Sequence, residues 1–130
     1  MGYIVKKVRM TYGFEFENVY FKINRISYND DNRELYFAGE FYLSKQHQQD
    51  GFPPLENSIL CEVLILNDKT VNIYEYVYNY IKEKAEEVVQ YTDEYIESYN
   101  NDLMENHKND GPIIGLINKN YALFVDAIKD

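Results

Sequence analysis

Residues 3–11, YIVKKVRMT, alternate weakly between apolar and polar positions and are rich in β-branched types, which predicts a strand. Across residues 14–28, Val19, Phe21 and Ile23 recur at period two, and the phase then slips to Ile26 and Tyr28. A strand that keeps one face buried across such a slip needs an extra residue, so a bulge or bend is expected near Asn24–Arg25. Asn29-Asp30-Asp31-Asn32 predicts a turn, because Asn and Asp tolerate turn geometry and bond their own backbone. In the following RELYFAGEFYL, Leu35, Phe37, Phe41 and Leu43 lie on one face with Gly39 among them, and Tyr36, Ala38, Glu40 and Tyr42 on the other. This is the clearest strand of the chain, and it forms a hairpin with the one before it.

Ser44 is placed to cap a short helical turn over KQHQQD, with Gly51 ending it. Pro53-Pro54 then forces an extended backbone. Residues 57–66, NSILCEVLIL, are apolar at both parities apart from Glu62. A strand of that kind is expected inside a sheet or in an interface, where both faces are covered. Asn67-Asp68-Lys69-Thr70 closes it with a turn.

The period changes after residue 71. Asn72 followed by Glu75 predicts an N-cap with a capping-box-like partner, and Val71 and Tyr76 stand where a hydrophobic staple would form. Apolar residues at Ile73, Val77, Tyr80, Ile81, Ala85, Val88, Tyr91, Tyr95 and Tyr99 follow helical spacing. Tyr74, Tyr76, Tyr78 and Tyr80 alternate, which is strand spacing, but the cap and the following KEKAEEV favour a helix. Unbroken to Asn106 it would be about 50 Å long; Thr92-Asp93 offers a second cap that would split it. Asn109-Asp110-Gly111-Pro112 is a stop, IIGLI an apolar loop, and Asn118 a cap for a last short helix with an apolar face of Tyr121, Leu123, Phe124, Val125 and Ile128. The expected architecture is α+β: a single domain over residues 1–130, with an antiparallel β-sheet of about four strands in the β-rich residues 1–66. Two or more C-terminal helices follow in residues 72–130.

Composition adds two constraints. The chain of 130 residues holds fourteen Tyr and no Trp, and Tyr suits surfaces that are half packed and half wet. The net charge of −9 is uneven: residues 1–66 carry nine acids against seven bases, and residues 72–105 nine against two. That balance argues against direct binding to nucleic acid or anionic membranes, which needs Lys and Arg, and permits a basic protein partner. It also fits a plain solvated helix face. Cys61, the single cysteine, lies in the apolar run and is expected to be a buried, inert thiol. The N-terminal residues lack the apolar core of a signal peptide and no segment has the length and apolarity of a membrane span, so synthesis in the cytoplasm is expected.

Motifs of catalysis are absent: the chain has no glycine-rich phosphate loop, G-x-S-x-G, H-E-x-x-H or C-x-x-C. His47 and His107 are far apart in polar stretches and read as surface histidines. The acidic turn 29–32 has the wrong spacing and no Gly for a calcium loop. Adjacent pairs Glu86-Glu87 and Asp93-Glu94 do not face each other on a helix, so they suit solubility better than acid–base work. No enzyme activity, catalytic residue, cofactor or metal is expected. The candidate residues are for protein contact: Phe52, Pro53, Pro54 and Leu55 in the loop, and Tyr78, Glu86, Glu87, Asp93, Glu94 and Tyr95 on the acidic, Tyr-rich helix.

The order of elements resembles small proteins of phages and prophages of Gram-positive bacteria, often encoded near tail or baseplate genes. The matching residues are Val19, Tyr20, Lys22 and Ile23; Phe41-Tyr42-Leu43-Ser44-Lys45; Gly51 and Pro53-Pro54-Leu55; and Ile73, Tyr78, Tyr80, Ile81 and Lys82. The resemblance covers roughly residues 3–84, carries no catalytic residue and leaves residues 85–130 outside it. It implies a non-enzymatic structural protein of the tail or baseplate region, a homo-oligomer that contacts itself and other phage proteins and is carried in the virion. The alternative is a small acidic phage inhibitor, anti-defence or nucleic-acid-mimicking, that binds a host protein through the helix 72–105.

Overall fold

The computed structural model describes residues 2–9, 13–55, 59–67, 72–107 and 115–130. The strands are β1 (Tyr3–Arg9), β2 (Glu15–Asn29), β3 (Glu34–Tyr42), β4 (Ile59–Ile65) and β5 (Ile128–Lys129). The helices are α1 (Lys45–Gln49), α2 (Ile73–Val88) and α3 (Asp93–His107), with a 3₁₀ helix over Lys119–Phe124. All five strands form one antiparallel sheet in the order β4-β3-β2-β1-β5. The α+β class holds, with the longer helices C-terminal. The fifth strand is a correction: spacing puts Ile128 on a helix face, yet it pairs with Ile4 and is 60% exposed.

The phase slip in β2 is a bulge. Register with β3 runs Ile23↔Gly39 and then Arg25↔Ala38, so Asn24 is the extra residue. Val19, Phe21 and Ile23 therefore share the inner face with Ile26, opposite Phe37. Asn24 turns its side-chain amide out to Glu40 and Tyr42, each at 2.9 Å. The hairpin turn closes as expected, with Asn29 accepting from the N–H of Asp31 and Asn32 from that of Glu34.

Cap chemistry sets the helix ends. Ser44 accepts from the N–H of His47, and Gly51 ends the turn after α1 at φ +83°. Asn72 accepts from Glu75 and starts α2; the staple residue Val71 lies outside the described residues. The long helix is broken: Thr92 accepts from the N–H of Tyr95 and opens α3, where Asp93 and Glu94 complement the positive end of the helix dipole. Asn118 caps the last element, a 3₁₀ rather than an α-helix.

The core lies between the inner face of the sheet and α2 with the 3₁₀ helix. Phe21, Phe37, Leu35, Leu60, Val77, Ile81 and Phe124 are wholly buried, each burial contributing about 1.5–3 kcal/mol. Tyr78 of α2 threads this core: its hydroxyl receives the Ile23 N–H at 3.1 Å, beside the bulge, and its carbonyl accepts from the Tyr3 hydroxyl at 2.7 Å. Tyr78 is thus a core residue, which corrects its expected role in contacts, since a side chain only 1% exposed meets no partner. Leu43 departs from the predicted inner face as well; it lies beyond the end of β3 and is 43% exposed. From α3 only Ile96 enters the core.

Candidate functional site

Strand β4 stands at the edge of the sheet, not inside it. Of the two expected places, inside a sheet or in an interface, the first is therefore excluded. Its inner-parity residues Leu60 and Leu64 are buried against the core, while Cys61 and Ile65 on the outer parity are exposed and Val63 is half-buried. The expectation of a buried Cys61 is corrected with it: the residue is exposed and lies opposite Ala38, on the other parity from Leu60 and Leu64. Among the described residues no backbone hydrogen bond joins the free side of β4 to another segment.

Glu62 is the one charge of β4 and shares the inner parity with Leu60 and Leu64. A carboxylate there needs donors, and two tyrosines supply them. Tyr80 of α2 donates to one oxygen at 3.3 Å, and Tyr121 of the 3₁₀ helix donates to the other. The two rings meet edge to face at 6.0 Å. Burial, and then the neighbouring Glu62 carboxylate, push both phenols well above their usual range. Both hydroxyls therefore keep their protons through the neutral range and act as fixed donors. Lys84 lies over the Tyr80 ring at 5.8 Å and pairs with Glu87 at 3.2 Å.

Two clefts share Glu62, Val63 and residues 115–118 and so form a groove along β4, with volumes of about 270 and 570 Å³. The far wall is held by a side-chain amide that imitates a backbone pair: Asn100 of α3 donates to the Ile117 carbonyl at 2.8 Å and accepts from its N–H at 2.7 Å.

The residues singled out from the sequence fall elsewhere, in separate places. In the loop, Phe52 is 55% exposed, whereas Leu55 packs against the core and donates its N–H to the Phe41 carbonyl. Glu86 and Glu87 are exposed near the end of α2, and Lys84 and then Tyr91 hold the Glu87 carboxyl below its usual range. Asp93, Glu94 and Tyr95 are exposed at the start of α3. Tyr95 stacks between Tyr91 at 4.9 Å and Tyr99 at 6.2 Å, an outward aromatic ladder flanked by acids. Sequence reasoning misses the groove along β4. Its one sequence signal is Glu62, the lone charge in an apolar run.

Among the described residues no group of His, Cys, Asp and Glu could hold a metal ion, and no described helix is long and apolar enough to cross a membrane. Comparison with known protein families, curated proteins and solved structures yields no match.

Proposed function

We propose that this chain is a non-enzymatic structural subunit of a phage tail or baseplate region, made in the host cytoplasm, carried in the virion and working through protein–protein contacts. The observation that carries the reading is the β4 edge, unpaired among the described residues, with exposed Ile65 and Cys61 on one parity and the Glu62 groove beside it. An uncovered strand edge is a template for another strand, and the one charge on β4, Glu62, is bound by Tyr80 and Tyr121. The phage setting rests on the resemblance over residues 3–84. The test is mass spectrometry of purified virions together with variants in the phage. Val63→Lys should remove the protein from particles, and the pair Glu86→Lys and Glu94→Lys should leave incorporation unchanged. Virions that lack the wild-type protein would refute the assignment.

The Tyr91–Tyr95–Tyr99 ladder with its flanking acids favours a second reading, an acidic inhibitor that grips a host protein through α3. It predicts the reverse outcome: binding of a host protein, lost on reversing Glu94 and weakened by salt.

A further inference from the structure

Resting on that reading of the β4 edge, we propose that its occupant is a second copy of this chain, joined head to tail through the open edge of β1. Strand β5 covers only Tyr3 and Ile4. Beyond it, among the described residues, no backbone bond reaches the outer edge of Val5–Arg9. That stretch holds Lys6, Lys7 and Arg9 and no acid; Lys7 is shared with Glu15 of β2 across 3.8 Å of exposed surface. On a chain of net charge −9, self-association is opposed everywhere except where the sign is locally reversed, and β1 is such a place. The opposing edge offers Glu62; Glu87 on the same groove is paired with Lys84.

Strand direction agrees. In the order β4-β3-β2-β1 every neighbour is antiparallel, so β1 and β4 run in opposite directions. A copy shifted sideways without being turned over lays its β1 antiparallel to β4, which continues the same sheet. One register sets opposite charges against each other. With Lys7 opposite Glu62, Val5 falls opposite Leu64, Lys6 opposite Val63, Val8 opposite Cys61 and Arg9 opposite Leu60, and the junction stops where β5 begins. A two-fold β4–β4 pairing sets Glu62 opposite itself or opposite an apolar residue of β4, and in no register opposite a base. A head-to-tail junction repeats, giving a ring if the rotation closes and a filament if it does not.

The experiment uses two variants, each with one edge disabled: Cys61→Lys/Val63→Lys in β4, and Lys6→Glu/Lys7→Glu in β1. Circular dichroism and melting first establish that both fold. In sedimentation velocity the wild type should form species larger than a dimer as concentration rises, and each variant alone should be a monomer. An equimolar mixture should stop at a one-to-one pair, because each partner retains the edge the other lost. A wild type monomeric at every concentration overturns the proposal, as does a β1 variant that still dimerises through β4. In either case the structural role of β4 survives if Val63→Lys still abolishes incorporation into virions. If that variant is incorporated normally, the functional reading fails independently.

Discussion

The carboxylate of Glu62 on the edge strand is held by the hydroxyl of Tyr121, fifty-nine residues away on the 3₁₀ helix. Tyr80 completes the arrangement from α2, so one acid gathers the sheet edge, the long helix and the C-terminal segment. Tyr121→Phe keeps the ring and removes a buried donor to a charged group. It should cost about 1–3 kcal/mol in denaturant unfolding, and Glu62→Gln, which keeps a carbonyl acceptor, should cost less.

Alkaline pH should unfold the protein through its tyrosines. Desolvation pushes Tyr78 up to about 12, and Tyr80 and Tyr121 move in the same direction. The folded chain keeps protons that the unfolded chain releases above pH about 10. Stability should be fully present below that pH and fall as pH rises through about 12. Tyrosinate absorbance from Tyr78, Tyr80 and Tyr121 should appear only as the circular dichroism signal is lost. A single smooth titration with the fold retained would contradict this.

Gly39 sits under the ring of Phe21. A Cβ built there would lie 2.6 Å from Cε2 of Phe21 and 3.0 Å from the Lys22 carbonyl oxygen. Gly39→Ala should therefore destabilise by roughly 1–3 kcal/mol or more through overpacking. The double variant Gly39→Ala/Phe21→Leu should recover part of the loss, giving a non-additive cycle in thermal unfolding.

Lys82 anchors the C-terminus. Its ammonium donates to the carbonyls of Phe124, Val125 and Ala127 at 3.0, 2.9 and 2.9 Å, where the 3₁₀ helix ends and β5 begins. Lys82→Met retains the stem and removes all three bonds. A loss of about 1.5–3 kcal/mol is expected, with hydrogen exchange at Ile128 and Lys129 rising more than in β2. Equal protection in both strands would mean that the lysine is not the anchor.

Cys61 provides a direct report on the β4 edge. Its exposed thiol should react with a thiol reagent in the native monomeric variant Lys6→Glu/Lys7→Glu, without denaturant. In assembled wild type the same thiol should be protected, because the neighbouring strand covers it.

Much of the local structure is legible in the chain because it is local physics. Period two places the strands, the slip between Ile23 and Ile26 announces the bulge, and Ser44, Asn72, Thr92 and Asn118 mark helix starts through their own side-chain oxygens. Strand β5 escapes because two residues carry no period. The candidate site is largely illegible. Apolar residues at both parities of 57–66 suggest a strand inside a sheet or in an interface, but parity records which faces are apolar and not which neighbours are present.

By itself the sequence determined the class of fold, the extent of most elements, a candidate break at Thr92-Asp93 that the structure then realised, and the acidic C-terminal half, all of which follow from spacing, capping and charge within a few residues. Only the tertiary structure decided that β4 lies at the edge, that Cys61 is exposed while Tyr78 is buried, and that Glu62 meets Tyr80 and Tyr121. Those outcomes depend on which distant strands pair and on which side of the sheet the helices settle. That choice is made by the summed packing of the whole core, and no window of neighbouring residues contains it.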